Sequence, residues 1–241
     1  MARFLITVVI ILNLFVSSAL SDTLVIAAGA GYRRMLEEVI RVYENKTGAK
    51  VDQIFGHMGQ VIMQAKASGV VSLILGEHDF LKASDIQFDS FHKVGNGFLV
   101  IAYGKDVKLD KPEDLTKGYI SKIAIPDPKQ AIYGKAAKDF LQNTGLNGKV
   151  EKKLLVVATV PQVSAYIISK DVEAGFINLT DAIYVKDKIG GYLVLDKDKY
   201  EPINLVIGVI KGFENRPETS QFLNFLLKDP DAKTIITKSG L

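Results

Sequence analysis

The chain has 241 residues, 48% hydrophobic and 24% charged, proportions of a globular protein with a sizeable core and not of a disordered one. Lys and Arg number 30 against 27 Asp and Glu, a formal net charge of +3, and no basic block alternates with aromatics, which argues against nucleic acid as a partner. The absence of cysteine excludes disulfides, thiol nucleophiles and lipid attachment through an N-terminal Cys.

Residues 1–21 read as an export signal. Arg3 supplies the positive start, FLITVVIILNLFV is apolar, and Ala19 and Ser21 are the small residues a signal peptidase accepts. The apolar run is short of the ~20 residues a spanning helix needs. A mature chain beginning near Asp22, soluble and exported, is the expectation.

From Thr23 onward, strands alternate with helices, the pattern of a mainly parallel sheet with helical crossovers. TLVIAA is a buried-strand run. Leu36, Val39, Ile40 and Tyr43 then fall at helical spacing from Tyr32 to Thr47, ended by Gly48. KVDQIF alternates as a strand, GHMG breaks it, QVIMQAKAS is helical, and VVSLIL is a third strand. Met35 and Met63 lie at helical spacing among apolar neighbours and are expected in the core.

GNGFLVIAYGKD, residues 95–106, reads as one long apolar strand. A second series of the same plan follows: KIAIPDP, a helix from about Ile132 to Asn143, KLLVVAT, a helix from Pro161 to about Lys170, and VEAGFINL. INLVIGVIKG then leads to two terminal helices, with Pro217 in the first turn of one and Asp229-Pro230-Asp231 between them. The reading is two α/β lobes, 22–98 with 203–241 and 99–202, with chain crossings near Tyr103 and Tyr200 and a ligand cleft between them.

AAGAGYRR, after the first strand, fails the dinucleotide fingerprint because its sixth position is Arg34 and not glycine. There is also no GxSxG elbow, no HExxH and no GxxxxGK[ST] loop, so neither an enzyme nor a cofactor is indicated. Strand ends at Ala28, Phe55, Pro126 and Ala158 each lead through a short loop into a helix start. Such ends offer unpaired N–H groups and a partial positive charge of roughly +0.5 each, a setting for an anion.

LVIAAGAGYRRMLEEVIRVYENKTGAKV, IPDPKQAIYGKAAKDFLQNTGL, VPQVSAYIISKDVEAGFINLTDA and NRPETSQFLNFLLKDPDAKTIITKSGL together resemble the periplasmic molybdate-binding proteins of ABC transporters, which have the two-lobed type II solute-binding fold. The resemblance implies a monomer that carries a small oxyanion, molybdate or tungstate, to a membrane permease. It also implies ligand contacts from Ala30, Gly31 and Tyr32, from His57 and Met58, from Ala131, Ile132 and Tyr133, and from Val160 and Asn178. The loops concerned in this resemblance are Gly29 to Tyr32, Gly56 to Gly59, Ala131 to Tyr133 and Thr159 to Val160, with backbone donors expected at Val160 and around Ala131 and Ile132. The serines usual in the first two loops are replaced, at Ala30 or Gly31 and by GHMG, and the tyrosine usual in the strand after the last loop is Asn178.

Three readings of His57 stay open: a donor to the anion, a ligand with Met58 to a soft metal or metal chelate, or a solvated loop residue beside an apolar Met58. The metal reading is the weakest, as no second His, Cys or carboxylate lies at ligand spacing. Arg33 and Arg34 either reach water or turn one guanidinium into the cleft to pair with a carboxylate, phosphate or sulfonate, His78 lies on the surface or reaches the mouth of the cleft, and Asn178-Leu179-Thr180 forms a site-lining or structural turn.

Overall fold

The computed structural model describes residues 23–241, so the segment read as an export signal lies outside the described residues. Two five-stranded sheets organise the described residues. The first lobe is built from β1 (Leu24–Gly29), α1 (Arg33–Thr47), β2 (Val51–Gly56), α2 (Met58–Ser68), β3 (Leu73–Glu77), α3 (His78–Lys82) and β4 (Phe88–Gly97). The second follows with β5 (Leu99–Tyr103), β6 (Ile123–Pro126), α4 (Ile132–Asn143), α5 (Asn147–Val150), β7 (Leu154–Val157), α6 (Val160–Ile168), β8 (Ala174–Asn178), α7 (Leu179–Val185) and β9 (Gly191–Val194). The chain then returns to the first lobe as β10 (Ile203–Ile210), α8 (Pro217–Lys228) and α9 (Pro230–Lys238).

Strand order is β2-β1-β3-β10-β4 in one sheet and β7-β6-β8-β5-β9 in the other. In each, three parallel strands are followed by one antiparallel strand supplied from the other side of a crossing: β10 pairs with β3, and β5 with β8. The lobes are thus alike in topology. All six residues of β1 are buried, as a central parallel strand covered on both faces requires.

Helical phase decides what each helix buries. Met35, Leu36, Val39, Ile40 and Tyr43 of α1 face the sheet, and Gly48, at φ +73°, ends the helix with its amide on Glu44 O. The Tyr43 ring meets Phe222 edge-on at 5.1 Å and Phe225 at 5.3 Å, which docks α8 onto α1. Met63 departs from expectation. The inward stripe of α2 is Met58, Val61 and Ala65, so Met63 falls on the opposite side and is 63% exposed.

The segment read as one long strand breaks at Phe98. β4 ends at Gly97 in one sheet and β5 starts at Leu99 in the other, so the first crossing is at Phe98 and not near Tyr103. Tyr200 stands at the second crossing, and its hydroxyl accepts the Leu99 amide at 3.1 Å, tying the two crossings together.

Candidate functional site

Four strand-to-helix loops converge on one cavity of ≈ 30 Å³ between the lobes. The first lobe contributes Gly29, Ala30, Gly31 and Tyr32 after β1, and Gly56, His57 and Met58 after β2. The second contributes Ala131, Ile132 and Tyr133 at the start of α4, and Thr159 and Val160 at the start of α6. All of these loops lie at the carboxyl ends of parallel strands, where open α/β sheets hold ligands. The space takes a compact guest: a water needs about 10–15 Å³ on this measure, whereas drug-sized ligands occupy about 300 Å³ or more.

No residue lining the cavity carries a carboxylate, ammonium or guanidinium group. Its polar character comes from backbone amides and a few neutral side chains. Met58, Ile132 and Val160 are the first residues of their helices, so their amides have no helical carbonyl four residues back to bond. The Ala131 amide, expected as a donor, is already given to Asp127 O at 2.9 Å, which leaves this loop's donors at Ile132 and Tyr133.

The Tyr32 and Tyr133 hydroxyls, one from each lobe, are 2.7 Å apart and buried. Burial pushes both phenols well above their usual range, and Tyr32 and Tyr133 also raise or lower each other's value through that bond. Both stay protonated. Within such a pair one hydroxyl hydrogen is spent on the partner oxygen and the other remains to be donated.

His57 caps α2. Its Nδ1 accepts the Gln60 amide at 3.1 Å, so in this arrangement Nδ1 is the acceptor and the ring's remaining hydrogen sits on Nε2 as a donor. The Met58 side chain is 1% exposed and packs over Gly29 and Gly76, where an added Cβ would come within 3.3 Å of its Sδ. Among the described residues no group of three or more His, Cys, Asp or Glu is arranged to hold a metal ion. Thr159, in the fourth of the loops that the resemblance puts beside the ligand, lines the cavity with a hydroxyl that makes no bond to cap its own helix.

Asn178 does not line the cavity. It is fully buried behind Gly31, donating to Gly31 O at 3.1 Å and accepting the Asp181 amide as the N-cap of α7, the structural-turn alternative. Arg33 turns outward to Glu37 at 2.7 Å, with its guanidinium over the Phe55 ring. Arg34 is not simply solvated: it reaches across to Asp181 of the second lobe at 2.8 Å. His78 lies at the start of α3, bonded to Asp79 and edge-on to Phe91, away from the cavity lining.

The profile of the family described as "Bacterial extracellular solute-binding protein" matches residues 24–241. The molybdate-binding protein ModA of Rhodobacter capsulatus is 25% identical over 228 residues, 92% of this chain and 89% of its own. ModA of Azotobacter vinelandii is 25% identical over 229 residues, 89% of this chain and 88% of its own. The solved periplasmic molybdate-binding protein of Azotobacter vinelandii superposes with a TM-score of 0.81 at 22% identity, covering 90% of this chain and 97% of that one.

Proposed function

The chain belongs to the bacterial extracellular solute-binding proteins, and from that premise we propose that it is the solute-binding component of an ABC importer for a small tetrahedral oxyanion, molybdate or tungstate. One observation carries this reading: four loops from two lobes aim helix starts and neutral donors at a single ≈ 30 Å³ space with no charged side chain in its lining. A larger organic anion would need more room and, for a carboxylate or sulfonate, a cationic partner. Moderate hydrogen bonds hold an oxyanion while the lobes are together and release it when they part.

The ligand contacts in this reading are the backbone of Ala30 and Gly31, the hydroxyls of Tyr32, Tyr133 and Thr159, the His57 ring, and the amides of Met58, Ile132 and Val160. The protein works as an exported monomer, has no catalytic role, and hands its guest to a membrane permease that reads the closed form. The homologues named for molybdate support the ligand class.

Thermal melting of residues 22–241 against molybdate, tungstate, sulfate, phosphate, nickel and copper tests the proposal. A guest at 100 times its Kd adds about 2.7 kcal/mol. Stabilisation by molybdate or tungstate at micromolar concentration is the expected result; silence for both with a response to another solute reassigns the ligand.

A further inference from the structure

One face of α7 in the second lobe carries polar partners for α1 and the turn before it in the first. Asn178 donates to Gly31 O at 3.1 Å, Arg34 donates to Asp181 at 2.8 Å, and the Tyr184 hydroxyl donates to Glu38 at 2.8 Å. The positions 31, 34 and 38 on one side and 178, 181 and 184 on the other advance together. That is the spacing of matched stripes on two helices running the same way. Behind the rungs the contact is apolar: an added Cβ on Gly240 would come within 2.9 Å of Leu179 and 3.0 Å of Ile183, so α7 lies against the chain's C-terminal turn. None of Arg34, Glu38, Asp181 or Tyr184 lines the cavity.

The middle rung is the most consequential. Asp181 is 3% exposed and receives Ser164 Oγ from its own lobe, whereas Arg34, 43% exposed, comes from the other. A buried carboxylate needs charge-assisted partners. Ser164 belongs to the same lobe as Asp181 and Arg34 to the other, so of the two contacts only Arg34's depends on how the lobes are set. Taking the solute-binding reading above as its basis, we propose that Arg34 and Asp181 are positioning residues: their pair, with the Glu38–Tyr184 rung, favours the closed arrangement before any solute arrives. Closure is then favoured by this seam together with the Tyr32–Tyr133 bond and the Gly59 amide's bond to Gln130 O at 3.2 Å, and the cavity contributes selectivity. A chain whose binding-competent arrangement is only partly populated binds its guest more weakly in proportion to that fraction, so loss of the seam lowers affinity without touching a ligand contact.

The absence of native cysteine makes the test direct. Spin labels on Met63→Cys in the first lobe and Val156→Cys in the second, 63% and 53% exposed and outside both seam and cavity, report the interlobe distance in solute-free protein. The expected result is a mainly short distance in the otherwise unaltered chain and a fall of about tenfold in the short-to-long ratio with Arg34→Gln, as loss of one charge-assisted bond implies. Arg34→Gln with Asp181→Asn should go little further than the larger single change, because both remove one pair. Tyr184→Phe gives a smaller shift in the same direction and leaves every charge in place. A solute-free chain resting at the long distance, or a distribution that Arg34→Gln and Tyr184→Phe leave unchanged, overturns the proposal and makes the seam a fixed pivot. This readout uses no ligand, so its outcome is separate from that of the oxyanion panel.

Discussion

The hydroxyl oxygens of Tyr32 and Tyr133 meet at 2.7 Å across the two lobes, and both lie against Gly97, the last residue before the first chain crossing. A hydrogen bond between buried neutral groups is modest in net worth, but leaving one partner unpaired costs about 1–3 kcal/mol. Tyr32→Phe or Tyr133→Phe alone should therefore lower unfolding free energy by that order. The double change should cost less than the sum of the two. Chemical denaturation of the four proteins checks the cycle.

The same pair sets a high-pH limit. Burial raises both phenols above the ordinary value near 10, so between pH 10 and the folded-state values the native chain holds protons that the unfolded chain has lost. Stability from this source is fully present below pH 10 and is lost as pH climbs beyond it. Unfolding free energy measured from pH 8 to 11 should fall above 10, and fall less steeply in the double Phe variant.

Gly97 is a close-approach glycine. A Cβ there would lie 2.2 Å from the Tyr133 hydroxyl, 2.7 Å from Ile203 and 3.0 Å from the Tyr32 hydroxyl, and these neighbours are themselves buried. Gly97→Ala should cost about 1–3 kcal/mol by overpacking and should part the tyrosine hydroxyls. A melting temperature equal to that of the unaltered chain would show that the crossing yields more readily than its packing implies.

His57 has two separable jobs. His57→Ala removes the cap of α2 and should cost about 0.5–2 kcal/mol, whereas His57→Asn retains a capping oxygen and should cost little. Both lose the ring donor, so both should weaken binding of whichever oxyanion the panel identifies. Calorimetric titration beside thermal melting separates the two effects.

Thr159 should show the converse. Its hydroxyl caps nothing, so Thr159→Val should leave the unfolding free energy within about 0.5 kcal/mol of unchanged and still weaken solute binding, while Thr159→Ser preserves binding.

Local pattern was enough for the long, strongly periodic elements, whereas the short α3, α5, α7 and β9 and the first part of β4 were not read from it. The helical spacing of Leu36, Val39, Ile40 and Tyr43, the strand runs at Leu24 and Ile203, and the stop at Gly48 all express forces that act within a few residues, and each is found where the spacing puts it. Phase errors arose where two faces of one element were both apolar. Met63 sits in a hydrophobic helix whose buried stripe is fixed by the sheet beneath it, and Phe98 continues an apolar run without a turn signal although the chain changes sheets there.

The amino-acid sequence by itself determined two α/β series, their loops at strand ends and a chain that returns to its first lobe, because periodicity, capping and turn residues are read over short spans. Only the tertiary structure decided what meets across the gap. Arg34 and Asp181 are 147 residues apart, Tyr32 and Tyr133 are 101 apart, and Asn178 faces Gly31 and not the cavity. Such pairings depend on how two separately folded sheets are set against each other, and no local propensity encodes that relation.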